Sequence, residues 1–132
     1  MTADLTFSIT LVIIVITALV SIIAFSDRSL FGNLLFDPYL IKARNQWYRF
    51  ITHAFVHANW SHLLVNMFVL YMFGRNVEPL LGMLTGRGGT VPFIALYAGG
   101  VLFSALPSYR KHLNDPLYRA VGASGVTLRY QP

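Results

Sequence analysis

The sequence predicts an all-α membrane protein, and three observations support this. Hydrophobic residues make up 55% of the 132 residues and charged residues only 11%, which is far from the usage of soluble proteins. The run from Phe7 to Phe25 carries no charge and is long enough to cross a hydrocarbon core of about 30 Å as a helix. Two further apolar runs follow it. We therefore expect one domain, or part of one, with three transmembrane helices and the start of a fourth.

Composition also excludes several kinds of partner and site. The formal net charge is +5, but the basic residues are scattered between apolar runs and form no stripe. We therefore expect a lipid bilayer as partner and no nucleic acid. The chain has no cysteine, which rules out disulfides, zinc-thiolate sites and thiol catalysis. We expect no cofactor.

Residues 7–25 form the first predicted span. A signal peptide is the alternative, but Asp4 rather than a basic residue precedes the run, and no Ala-x-Ala cleavage site follows it. Residues 26–50 mix apolar and charged residues and are predicted to form an interfacial loop. Trp47 and Tyr48 are amphipathic rings that favour the headgroup level, so they would anchor the entry to the second span.

Two more spans are predicted from the apolar runs that follow. The second covers residues 54–74 and is closed by Pro79 and Gly82. The third covers residues 90–107, after a glycine-rich turn.

The end of the sequence is polar on both sides of a small-residue segment. Residues 108–119 are predicted to form a polar loop. A fourth helix is expected to begin at residue 122 and to stop soon after, because the tail VTLRYQP cannot continue a membrane span.

A polar cluster marks the beginning of the second span. If Asn59 or Ser61 caps a helix there, His62 and Asn66 stand four residues apart and project from one face. His57 would lie in the segment that enters the helix. Because unpaired polar groups are costly in lipid, such groups usually face a protein interior or a wet cavity. The cluster is therefore a candidate site.

A metal site is one interpretation of the same histidines, because His53 and His57 are four residues apart and His62 follows. No acidic residue lies nearby and no His-Glu-x-x-His motif occurs, so we expect no metal.

Ser124 lies in the quartet Gly122-Ala123-Ser124-Gly125. Alone, such a quartet most often permits tight helix packing. Its combination with a histidine-asparagine cluster on an earlier span is more specific than the quartet alone.

The sequence resembles the rhomboid family of intramembrane serine proteases. The resemblance extends from Trp47 to Val126 and rests on four motifs whose order and spacing agree together, which is more specific than any one motif. They are Trp47-Tyr48-Arg49, the pattern of His57, His62 and Asn66, the run from Gly74 to Gly82, and the quartet from Gly122 to Gly125.

The resemblance implies a rhomboid-like bundle of six spanning helices. In it, Ser124 matches the nucleophile, while His62 and Asn66 match side chains that stabilise the oxyanion with the serine backbone amide. A histidine on the sixth helix acts as base in the family. The matched positions that would be structural near the site are His57, Arg49, Glu78, Gly122 and Gly125.

The sequence departs from the family after Ser124, because no following segment could carry the base histidine. His112 lies in the polar loop, and the other histidines match positions with other roles. We therefore expect a fragment, truncated or frameshifted, of a serine-type endopeptidase that does not cleave by itself. The alternative is a non-catalytic rhomboid-like protein that binds transmembrane clients.

The resemblance also implies a multi-pass integral protein of a bacterial inner membrane, with transmembrane proteins as substrates or clients. Its orientation stays open. Basic residues are concentrated in the loops after the first and third spans, which the positive-inside rule places in the cytoplasm. Bacterial rhomboids typically place those loops outside.

Overall fold

The computed structural model describes residues 8–121 and 126–129, and this part is mostly helical. The helices are α1 (Ile9–Ser26), α2 (Arg28–Leu34), α3 (Pro38–Arg44), α4 (Arg49–Thr52), α5 (Trp60–Thr85) and α6 (Thr90–His112); a 3₁₀ turn covers His53–Phe55, and two short strands are β1 (Tyr118–Val121) and β2 (Val126–Arg129). The predicted fold class, an all-α membrane protein, is confirmed.

Two helices of the described residues, α1 and α6, are long and apolar enough to cross a membrane. Only 22% and 17% of their most apolar windows are buried inside the protein. Their apolar side chains therefore face outward, as lipid-facing helices require, whereas the core helix of a soluble protein would be mostly buried. Helix α5 packs against both α1 and α6.

Helix α5 begins later and ends later than the second span predicted over residues 54–74. It begins at Trp60 because the side chain of Asn59 caps it. Pro79, predicted to close the helix, lies inside it, since a proline removes only one helical hydrogen bond and flanking turns can compensate. The helix ends at Gly86, whose left-handed φ of 69° suits a glycine cap.

Helices α1 and α5 are joined by polar contacts. The carboxylate of Glu78 accepts hydrogen bonds from the hydroxyls of Ser8 and Thr10 and from the backbone N–H of Ile9. It therefore caps the beginning of α1, where the helix dipole favours negative charge. Nearby, Gly74 is needed for close approach, because a Cβ there would overlap the side chain of Thr10.

Arg49 ties the connector between α1 and α4 together. Its side chain is 3% exposed. One guanidinium nitrogen donates to the carbonyls of Gly32 and Leu35 at 2.9 and 2.8 Å, and Nε donates to Gln46 at 2.8 Å. Three acceptors, two at the C-terminal end of α2 and one in the loop before α4, therefore converge on one planar cation.

The described C-terminal residues form a short antiparallel pair of strands. Strands β1 and β2 pair antiparallel, with Val121 opposite Val126, and Phe36 forms a bridge to Ala120. The β-branched Val126 and Thr127 favour extended backbone, in keeping with the expectation that this tail does not continue a helix. The helix start expected at residue 122 lies outside the described residues. Helix α6 also extends to His112, into the predicted polar loop 108–119.

Candidate functional site

The mouth of α5 holds His62 through a reciprocal pair of hydrogen bonds. The side chain of Asn59 accepts from the backbone N–H of His62 at 2.9 Å. The ring of His62 reaches back, and its Nδ1 accepts from the backbone N–H of Ala58 at 3.2 Å. This arrangement follows the logic of a capping box, with a histidine at the third helical position.

These contacts fix the tautomer of His62. A backbone N–H can only donate, so Nδ1 is unprotonated and the neutral ring carries its proton on Nε2. The amide Nδ2 of Asn66 lies 3.0 Å from this Nε2, and two donors do not bond. Since the two amide atoms are interchangeable in shape, the network assigns the oxygen of Asn66 to the side facing His62.

The pair therefore offers N–H donors from both residues on one face, as the four-residue spacing predicted. His62 contributes one ring N–H, and the amide group of Asn66 contributes two. An incoming oxyanion would compete with the amide oxygen of Asn66 for the histidine N–H. Donors held in advance at such a place can stabilise negative charge.

His57 lies in the segment before α5, as expected, and is 1% exposed. Its ring packs edge-on against the ring of His62, with centroids 4.8 Å apart. Its Nδ1 lies 3.0 Å from the hydroxyl of Ser21 on α1, and that hydroxyl donates to the carbonyl of Phe55 at 2.7 Å.

The sequence analysis missed Ser21. The available signal was a polar stripe on the first apolar run, where Thr10, Thr17 and Ser21 are seven and four residues apart. These spacings place all three on one helical face, and all three are buried.

His53 does not join the other histidines. Its Nδ1–H donates to the carbonyl of Arg49 at 2.9 Å, and its ring lies against Phe36. Burial lowers the pKa of His53, although hydrogen bonds to the backbone of Arg49 and Phe50 act in the opposite direction. No group of three His, Cys, Asp or Glu side chains that could hold a metal occurs among the described residues.

The remaining predicted residues lie elsewhere. Gly122, Ser124 and Gly125 fall outside the described residues, so the position of the nucleophile stays a prediction. Glu78 is on the same helix as His62 but 16 residues further along, about 24 Å away at the helical rise. It therefore acts at the far end of α5 rather than near the candidate site.

The chain next to the predicted nucleophile does approach the histidines. Val121 is fully buried in a cluster with Ala24, Leu35 and Val56. Val56 directly precedes His57 in the chain. The three residues from Val121 to Ser124 span at most about 11 Å.

An apolar cavity of about 250 Å³ lies between α1, α6 and the segment around Phe55, lined by residues such as Ile13 and Tyr97. The cavity is not lined by His57, His62 or Asn66. The cavity is therefore separate from the candidate site.

Comparison with known proteins gives one family. Residues 44–128 match the family model described as Rhomboid domain. The putative rhomboid protease YdcA of Bacillus subtilis (strain 168) is 33% identical over 85 residues, which are 64% of this chain and 38% of that protein. Rhomboid-like protein 11, chloroplastic, of Arabidopsis thaliana is 52% identical over 40 residues, 30% of this chain and 14% of that protein. The chain thus spans well under half of these relatives, and no solved structure matches it.

Proposed function

This chain belongs to the rhomboid family, and on that premise we propose that it carries the nucleophile and oxyanion donors of an intramembrane serine endopeptidase. Ser124 is the nucleophile, and His62 and Asn66 stabilise the oxyanion. The substrate class is transmembrane protein segments. The protein is a multi-pass protein of a bacterial inner membrane, with α1, α5 and α6 crossing it.

The observation that carries the proposal is the hydrogen-bonded unit of Ala58, His62 and Asn66. It places N–H donors from two side chains on one face at the mouth of a helix. Among the contacts of the described residues, Asn66 bonds only to His62, so with its oxygen facing His62 its amide N–H groups retain donor capacity there. That capacity suits a site where negative charge develops.

The proposed chemistry follows from these donors. The hydroxyl oxygen of Ser124 attacks the carbonyl carbon of a peptide bond, and its proton passes to a base. The carbonyl oxygen becomes negative and accepts hydrogen bonds from His62 and Asn66. Collapse of this intermediate releases the amine, which takes the proton from the base, and water then frees the acyl group from Ser124.

The base is the component that residues 1–132 do not supply in this proposal. Of the four histidines, His53 is bonded to the backbone and His57 and His62 form the cluster. His112 is the last residue of α6, and its ring stacks on that of Tyr118 with the ring centroids 3.6 Å apart. Residues 1–132 alone, in liposomes with a transmembrane substrate, should therefore show no cleavage that depends on Ser124.

A chimera tests the complete mechanism. Residues 1–125 of this chain would be followed by the part of the Bacillus relative that lies C-terminal to the matched region. We expect cleavage that Ser124→Ala abolishes, and a loss in kcat of about 10²- to 10³-fold in His62→Ala and in Asn66→Ala. Asn76→Ala is the matched control, because Asn76 is on the same helix and bonds only to the carbonyl of Met72 among the contacts described.

Two results would contradict the proposal. One is cleavage by the chimera that persists in Ser124→Ala. The other is a chimera that unfolds cooperatively on heating, and is therefore folded, yet cleaves nothing.

The second candidate function is capture of transmembrane clients without cleavage. Crosslinking of membrane proteins to the chain that survives Ser124→Ala would support it. If no membrane protein crosslinks to the chain, the client-capture function is ruled out.

Membrane orientation needs its own measurement. A cysteine introduced at His112, at the end of α6, can be labelled with an impermeant reagent from either side of sealed vesicles. Labelling from outside agrees with typical bacterial rhomboids, and labelling from inside agrees with the positive-inside rule.

A further inference from the structure

Ser21 links α1 to the histidine cluster. It lies within the apolar run of α1 and is fully buried. Its hydroxyl donates to the carbonyl of Phe55 at 2.7 Å, and the same oxygen lies 3.0 Å from Nδ1 of His57. A buried hydroxyl that bonds to two groups on a different segment fixes the position of that segment relative to α1.

The single proton of the Ser21 hydroxyl determines which ring nitrogen of His57 is protonated. A serine hydroxyl has one proton, and a carbonyl can only accept, so that proton points to Phe55. The contact with His57 is then possible only if Nδ1 of His57 carries a proton and donates to Ser21. The neutral ring of His57 is consequently unprotonated at Nε2.

The orientation of His57 affects His62 directly, because the two rings pack edge to face. His62 is held by Ala58 on one side and faces Asn66 with Nε2. If the ring of His57 rotated, the ring of His62 would lose this edge-to-face packing contact.

We propose that Ser21 is a positioning residue that holds His57 as the Nδ1–H tautomer and thereby fixes the ring of His62. The effect on the tautomer stands on the hydrogen bonds alone. The effect on catalysis rests on the proposed function, in which His62 stabilises the oxyanion.

A matched control lies one turn earlier on the same face of α1. Thr17 is also fully buried, and its hydroxyl has no hydrogen-bond partner among the described residues. Thr17→Val removes that hydroxyl while keeping the shape of the side chain. Ser21→Ala removes the Ser21 hydroxyl with little change in packing, and Ser21→Thr restores it.

The first measurement is histidine NMR of the full 132-residue chain in micelles, with isotope-labelled ring nitrogens. In the unsubstituted chain we expect His57 to be protonated at Nδ1, its signals being assigned by their loss in His57→Gln. Ser21→Ala should move His57 toward the Nε2–H form. Thr17→Val and Ser21→Thr should leave the Nδ1–H signature in place.

An unchanged His53 spectrum in Ser21→Ala shows that the fold is retained, because the ring of His53 is buried against Phe36, 17 residues earlier in the chain. Nδ1–H on His57 that persists in a folded Ser21→Ala chain overturns the assignment of Ser21. So does a His57 that is protonated at Nε2 before any substitution.

The second measurement separates this inference from the proposed function. In the cleaving chimera, Ser21→Ala should lower kcat about tenfold, the effect of one lost hydrogen bond in a transition state, with little change in KM. A tautomer change without any loss of kcat overturns the positioning role. A folded chimera that cleaves nothing overturns the proposed function, and the NMR result still decides the tautomer.

Discussion

The carboxylate of Glu78, late in α5, accepts a 2.7 Å hydrogen bond from the hydroxyl of Thr10 in the first turn of α1. The first turn of α1 has no acidic residue, and Ser8 at its N-cap makes no capping bond of its own. Glu78 supplies both missing features from another helix. One side chain therefore caps α1 and joins it to α5.

Replacement of Glu78 tests this contact. Glu78→Gln keeps the size of the side chain but removes the charge that its donors face, so it should lower the free energy of unfolding by about 1 to 3 kcal/mol. The measurement is unfolding in mixed micelles. Asn76→Ala, exposed on the same helix, should change the value by less than about 0.5 kcal/mol. Equal stability of Glu78→Gln and the parent would contradict the capping role.

Gly74 should be intolerant of a methyl group. A Cβ at Gly74 would overlap the side chain of Thr10, so Gly74→Ala must push α1 and α5 apart and should cost about 1 to 3 kcal/mol. Gly100→Ala on α6 is the control, because no atom lies within 4 Å of a Cβ placed there. That substitution should be neutral or stabilise by up to about 1 kcal/mol. Similar costs at both positions would refute the close approach.

Local geometry explains what could be predicted about the site. The cap at Asn59 and the shared face of His62 and Asn66 depend only on spacings within one helical turn, which sequence fixes. The entry position of His57 follows from the same helix start. These three placements are the part of the site that the structure describes as expected.

Contacts between distant segments explain what could not be predicted. Ser21 reaches His57 across 36 positions of the chain, and no local pattern shows which helix faces which. Pro79 was predicted to close the second span because proline is a local helix-stop signal, but α5 continues through it to Thr85. Residues 126–129 pair with β1, and β1 also bridges to Phe36. Spacing along the sequence does not reveal the contact with Phe36.

Arg49→Lys should destabilise the protein even though the charge is kept. The guanidinium of Arg49 serves Gly32, Leu35 and Gln46 together, and a lysine ammonium is a point donor that cannot match this planar arrangement. We expect a loss of about 1 to 3 kcal/mol from buried carbonyls left unpaired. Arg110→Lys on the exposed end of α6 is the matched control. Equal thermal unfolding temperatures of the two variants would contradict this role for Arg49.

The last prediction concerns acid sensitivity through His53. Because burial lowers the folded-state pKa of His53 below the ordinary value of 6.5, the unfolded chain binds the proton first. Stability from this residue is therefore present above pH 6.5 and is lost as the pH falls below it, by at most about 1.4 kcal/mol per pH unit. His53→Asn places an amide N–H near the position of Nδ1, so it should keep the bond to Arg49 and reduce this dependence. The part due to His57, whose pKa burial lowers to about 4, should remain.

The measurement is the free energy of unfolding in micelles at a series of pH values from about 7.5 down to about 5, the range in which an ordinary histidine titrates. His53→Gln is the control, because its amide mimics Nε2 and should lose the bond to Arg49 at every pH. Its stability should be lower throughout the range, whereas that of His53→Asn should differ from the parent chiefly in slope. An acid loss as steep in His53→Asn as in the parent would show that another group titrates.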